Sequence, residues 1–167
     1  MGELLKIEEL ARRLADCKAK GLKVALANGH FDLLHVGHLR YLEAARRQGD
    51  VLVVAINDDD SVERLKGSGR PLNPAAERAE LLAALEPVDF VVIFEGDSPA
   101  SLLDELRPDV HCKGTDYGSS EKVPEYALVR AYGGTTALVG DPKEHSTSDI
   151  IAKIKALGSP EDRSRPQ

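Results

Sequence analysis

Apolar runs alternate with amphipathic stretches from one end of the chain to the other. The segment 23-KVALAN-28 is a short apolar run closed by Asn-Gly, and 51-VLVVAIN-57 is almost continuously aliphatic and β-branched. Uninterrupted runs of this kind suit strands covered on both faces. Similar runs at 89-DFVVIF-94, 109-DVHCK-113 and 135-TTALVG-140 bring the expected sheet to about five strands. Between them the spacing becomes helical: Ile7, Leu10, Ala11 and Leu14 share one face before Gly21, and Leu39, Leu42 and Ala45 share another between His35 and Arg47. Helices are also expected over 75–86, near 124–132 and from about Ser146 to Leu157. A further one opens with Ser98 as N-cap and Pro99 at the first helical position. The segment 58–74, with Gly67, Gly69, Pro71 and Pro74, reads as a short helical turn followed by an exposed loop.

This order predicts an α/β domain over residues 1–157 with a parallel sheet and helices on both faces, followed by a disordered tail over 158–167. In such sheets ligands bind beyond the carboxyl ends of the strands, where the topology reverses. The polar clusters of the chain fall at those ends: 28–38, 57–70, 113–118 and 140–148.

The first cluster, 28-NGHFDLLHVGH-38, carries more chemistry than a strand-to-helix turn needs. His35 and His38 lie three apart in a first helical turn, so both rings can project from one face. A helix N-terminus offers unpaired N–H groups and partial positive charge, which favour an anion. Gly29 would let backbone approach a ligand, and Gly37 removes a side chain between the rings. The pair could also be polar surface residues at a helix start. Zinc pairs on a helix more often use i, i+4 spacing, and no convincing third ligand appears.

Composition narrows the partners. The net charge of −6, with no tryptophan and few aromatics, argues against a nucleic-acid surface but not against a nucleotide. Cys17 and Cys112 show no metal-ligand spacing and read as reduced thiols. No apolar run approaches membrane length, and the mixed charges of the N-terminus are unlike a secretory signal, so no membrane association and a cytoplasmic location are expected.

The stretch GHFDLLHVGH resembles the signature of the cytidylyltransferase-like nucleotidyltransferases, which carry a His-x-Gly-His element. That resemblance implies a single Rossmann-like domain. It also implies transfer of a nucleoside monophosphate from an NTP, held with Mg²⁺, to a phosphorylated or carboxylated acceptor with release of pyrophosphate. It assigns His35 and His38 to the triphosphate, with Asn28, Gly29, Phe31 and Gly37 around the nucleotide and Asp32 orienting the turn or lying near acceptor or metal. A second family element, an Ile-Ser-Ser-Thr-x-x-Arg-like motif, is matched by 145-HSTSDII-151, where Ser146, Thr147 and Ser148 would meet the outer phosphates. Ile151 stands where the family usually has Arg, and Lys153 is nearby. Over about Glu8 to Lys155 the chain is similar to the adenylyltransferase unit of bacterial heptose biosynthesis, through 56-INDDDSVERLKGSGRPLNPAAER-78, 82-LAALEPVDFVVIFEGDSP-99, 108-PDVHCKGTDY-117 and STSDIIAKI.

The remaining polar residues take roles on that basis. Lys113, at a strand end before Gly114, is expected to offset charge on the phosphates, and Asp116 to line the nucleotide pocket. Lys66, Arg70, Arg78 and Tyr117 are expected on the acceptor side, and the 58–60 acids are read as helix-start chemistry. No direct metal ligand is assigned. The partners implied are an NTP and a sugar or polyol phosphate, in a homodimer. Two alternatives stay open: a cytidylyltransferase acting on glycerol 3-phosphate or a similar phosphate, and a nucleotide-binding module without turnover.

Overall fold

The computed structural model describes residues 1–141 and 146–157; the expected tail at 158–167 lies outside them. A single sheet runs through the molecule, built from β1 (Glu3–Leu4), β2 (Val24–Gly29), β3 (Val51–Asn57), β4 (Phe90–Phe94), β5 (Val110–Gly114) and β6 (Thr135–Val139). The strands lie in the order β1-β4-β3-β2-β5-β6, with every described pairing parallel. The sheet therefore has six strands rather than five. The extra one, β1, is two residues long and exposed, so it has no hydrophobic period to announce it. It is held by main-chain bonds to the outer edge of β4.

Helices α1 (Ile7–Ala19), α2 (Val36–Arg46), α3 (Asp59–Lys66), α4 (Ala75–Ala83), α5 (Ala100–Leu106), α6 (Tyr126–Ala131) and α7 (Thr147–Ala156) fill the connections, with 3₁₀ turns at Thr115–Tyr117 and Ser120–Lys122. Two cores result. Leu42 and Ala45 of α2 and Ala79 and Leu82 of α4 pack on Ala25, Ala27, Leu52, Val54 and Ile56. Leu10 and Leu14 of α1, the three leucines of α5 and Val129 of α6 cover the opposite face, on Val24, Leu26, Val53 and Val92. Both faces of β3 are buried over its whole length, which accounts for its unbroken apolar run.

Local chemistry shifts some boundaries. The expected helical turn after Asn57 is a two-turn helix, α3, capped by Asp58, whose carboxylate accepts from Ser61 N at 3.0 Å. Helix α5 begins at Ala100 rather than Pro99. Ser98 Oγ accepts from Ala100 N at 3.3 Å but also donates to Glu125 Oε1 at 3.0 Å, tying the helix start to α6 instead of closing a standard cap. Cys17 and Cys112 are free thiols, the second buried.

Candidate active site

From β2 the chain builds outward through β3 and β4, then returns to the other side of β2 to form β5 and β6. The reversal lies between β2 and β5, whose register ends at Ala27 and Cys112. Where these strands part, the Tyr41 hydroxyl from α2 enters. It donates to Cys112 O at 2.8 Å, and its own oxygen accepts from the backbone N–H of Asn28. Burial raises the tyrosine pKa well above its ordinary value, so the phenol stays neutral. Tyr41→Phe leaves two buried main-chain groups without this partner. It is expected to lower stability by about 1–3 kcal/mol, read as a lower urea midpoint at unchanged m.

Above this junction opens a crevice of about 340 Å³. Its walls include His30, Asp32, His35, Gly37, His38 and Tyr41 from β2 and α2, Lys66 and Arg70 from α3 and the following loop, Gly114 and Asp116 after β5, and Ser146, Thr147 and Ser148 at the start of α7. The four polar clusters of the sequence thus converge on one space.

His35 is the N-cap of α2 and His38 lies in its first turn. Their rings stack with centroids 3.8 Å apart at 18°, and Phe31 meets His38 edge-on at 5.0 Å. Burial first, then the neighbouring His35, lowers the His38 pKa to about 4, so its ring is neutral near pH 7. Nδ1 of His38 is enclosed without a hydrogen-bond partner among the described residues, which leaves Nε2 to meet a ligand. Phe31 reaches this place through a left-handed backbone, φ 48°. Gly29 has a different part from the one expected: it does not line the crevice, and a Cβ there would stand 3.0 Å from the Phe31 ring. The glycine makes room for Phe31, which in turn buttresses His38.

Asp32 orders the turn from the crevice wall. Its Oδ1 accepts from Leu72 N at 2.6 Å and Asn73 N at 3.2 Å, and its Oδ2 lies 3.0 Å from Arg70 Nε. These contacts fold the 70–73 loop against the crevice and hold Arg70 at its wall. Arg78 corrects a second expectation. Its side chain is fully buried, with Nε donating to Asn73 O, Nη1 to His30 O at 2.6 Å, and Nη2 to Asn57 O and Asp59 Oδ1. All three of its nitrogens bond the fold and the side chain is fully buried, so it is not placed to meet an acceptor phosphate. Asp59 belongs to the same framework: its Oδ1 also accepts from Ala75 N.

Lys113, Asn28 and Tyr117 stand beside the crevice rather than in its wall. The Asn28 amide oxygen accepts from Lys113 Nζ at 3.4 Å and is paired with His111 Nε2 at 3.0 Å, while the ammonium sits 5.3 Å from the Tyr117 ring centroid. Burial lowers the lysine pKa. Gly114 does line the crevice, and Asp116 folds back over it: a Cβ on Gly114 would lie 2.6 Å from Asp116 Oδ1. At α7, Ser146 Oγ caps the helix by accepting from Asp149 N at 3.1 Å, and Thr147 Oγ1 donates to Leu33 O at 3.3 Å. With these hydroxyls engaged, the first N–H groups of α7 and the Ser148 hydroxyl are what the helix start presents to an anion.

Sequence reasoning passed over His30 and Tyr41. Tyr41 lies three residues beyond His38, on the same helical face, so the spacing that paired the histidines also pointed to it. The histidines carry a consequence for the whole molecule. Burial is the largest cause lowering His30 to about 4, His38 to about 4 and His111 to about 3. The unfolded chain takes up these protons near the ordinary 6.5, the native chain only further down. Stability should therefore fall as pH drops from about 6.5 and keep falling to about 3–4, measurable as a declining melting temperature.

The model of the family described as cytidylyltransferase-like matches residues 26–153, which include the histidine pair, the Lys113 strand end and the start of α7. The chain belongs to the cytidylyltransferase-like family. The family is one of nucleotidyltransferases, and the matched span takes in the stacked histidine pair of α2. Among curated relatives, the bifunctional protein HldE of Pseudomonas paraeruginosa is 48% identical over 155 residues, and that of Azotobacter vinelandii 47% over 152. These alignments cover 93% and 91% of this chain but 32% of each relative, so the chain spans about a third of their length. The crystal structure of the lipopolysaccharide core biosynthesis protein from Thermoplasma volcanium GSS1 superposes with a TM-score of 0.60 at 27% identity, covering 71% of this chain and 95% of that one.

Proposed function

We propose that the chain transfers the adenylyl group of ATP to D-glycero-β-D-manno-heptose 1-phosphate, giving ADP-heptose and pyrophosphate. The observation that carries the reading is the convergence on one crevice of two imidazoles, the N-terminus of α7, and the cations Lys66 and Arg70. That is provision for more anionic charge than one phosphate group brings. The heptose assignment draws on the ordered resemblance to the heptose adenylyltransferase unit, and it agrees with the lipopolysaccharide connection of the Thermoplasma relative.

In this reaction an oxygen of the acceptor phosphate attacks the α-phosphorus, and the bond from that phosphorus to the oxygen bridging to the β-phosphate breaks. The bridging oxygen leaves with pyrophosphate. The acceptor phosphate is ionised at neutral pH, so no general base is required, in keeping with a His38 that acts as a neutral donor. His38 Nε2 and His35 would stabilise charge on the triphosphate, with the N-terminus of α7 on its outer phosphates. Lys113, steadied by Asn28, would add positive potential from beside the crevice. Lys66 and Arg70 would receive the acceptor. Alignment of two mutually repelling anions then supplies most of the rate.

Mg²⁺ fits this site as a companion of the nucleotide. No group of three candidate metal-ligating side chains occurs among the described residues, and Asp32 is occupied by Arg70 and the loop amides. The ion would be carried by phosphate oxygens with Asp116 as a crevice carboxylate, its usual manner of binding, and would offset their charge. No helix of the described residues is long and apolar enough to cross a membrane. The family resemblance supports a homodimer.

The test is to follow the label from ATP carrying ³²P at the α or the γ position. Label from the α position should appear in ADP-heptose, and label from the γ position only in pyrophosphate. Transfer of the γ label to the sugar would overturn the reading.

A further inference from the structure

His30 is a titratable wall of the crevice that the mechanism above leaves unused. It follows the last residue of β2, and its backbone is pinned from both sides. Its carbonyl accepts from the buried Arg78 at 2.6 Å, and the next residue, Phe31, is set in a left-handed conformation. The ring is half-buried and lines the crevice, and no described residue hydrogen-bonds it. Its electrostatic neighbours come from each element around it: Lys66 of α3, Arg78 of α4, Lys113 of β5, and Asp32 of its own turn. His38 senses a different set, with His35 as its electrostatic neighbour. The crevice therefore holds two separate imidazole environments. One is the stacked pair at the start of α2; the other is a single ring among cations that include Lys66, read above as acceptor-binding.

We propose that His30 is a further catalytic residue, contacting the phosphate of the acceptor, and that this phosphate binds with uptake of a proton by the imidazole. This deepens the adenylyltransferase reading and rests on it. In the empty site the surrounding cations and burial hold the ring neutral, with its pKa near 4. A phosphate dianion placed among Lys66, Arg70 and His30 reverses the local charge. The protonated ring then gains a charge-assisted hydrogen bond, so its pKa must rise on binding. By linkage, affinity for the dianion increases as pH falls through that raised value towards about 4.

The experiment is an NMR pH titration of the histidine ring protons, with the His30 signal assigned by its absence in His30→Gln. The protein is saturated with Mg²⁺ and α,β-methylene-ATP, which cannot transfer its adenylyl group, and inorganic phosphate is added. The His30 signal is expected to titrate near 4 without phosphate and at least about one pH unit higher with it. In turnover, His30→Gln keeps a hydrogen-bond donor but cannot charge. It should raise KM for the sugar phosphate by a factor that grows towards about tenfold as pH falls below the raised value, while leaving KM for ATP unchanged. A His30 signal that moves with nucleotide and ignores phosphate would overturn the proposal, as would a rise in KM for ATP instead. Failure of the wild-type protein to turn over the heptose phosphate would count against the substrate reading, while the inorganic phosphate titration would still decide the role of His30.

Discussion

His38→Ala should lower turnover by about 10²–10³, the loss typical of removing one preorganised donor from a developing anion. The ring touches Phe31 and His35 and has no hydrogen-bond partner among the described residues at its enclosed Nδ1, so its removal costs the fold little polar structure. The effect should fall on kcat, since a donor that strengthens its bond only as charge moves onto the leaving pyrophosphate adds little to ground-state binding. Steady-state kinetics with circular dichroism as the folding control checks this. A well-folded variant with near-normal kcat would remove His38 from the reaction.

The second large effect is expected in stability. Arg78→Met keeps the bulk of the side chain but deprives the carbonyls of His30, Asn57 and Asn73, and one oxygen of Asp59, of their donor. Breaking such a buried network should cost about 3 kcal/mol, or roughly 6–12 °C in melting temperature for a domain of this size. The carboxylate of Asp59 is partly solvated, which keeps the figure at the low end of buried pairs. Had Arg78 been an acceptor ligand, as its sequence neighbourhood suggested, the same substitution would raise KM with the melting temperature unchanged. Calorimetry and KM together separate the two roles.

Arg78 also shows what the sequence could convey. A cation in a polar segment beside a predicted ligand edge reads the same whether it faces solvent, substrate or core. Only the fold reveals that three carbonyls from separate segments close around it. Asp32 was ambiguous for the same reason, because its partners lie some forty residues on, in a loop with no period of its own. The histidine pair was legible because its spacing lies within one turn, and helix geometry alone brings the rings together. The inner strands were legible too, since burial on both faces enforces continuous apolar runs. β1 was not, because main-chain bonds at an edge make no demand on side chains. Gly29 was read as yielding space to a ligand when it yields space to Phe31, a contact that depends on a left-handed turn invisible in the residue string.

The central claim is tested most directly by pyrophosphate release with Mg²⁺ and either ATP or CTP, each against D-glycero-β-D-manno-heptose 1-phosphate and glycerol 3-phosphate. Release confined to ATP with the heptose phosphate is the expected result. Release with CTP and glycerol 3-phosphate would keep the transfer chemistry and contradict the substrate. Nucleotide binding without release from any pair would contradict the claim of turnover itself.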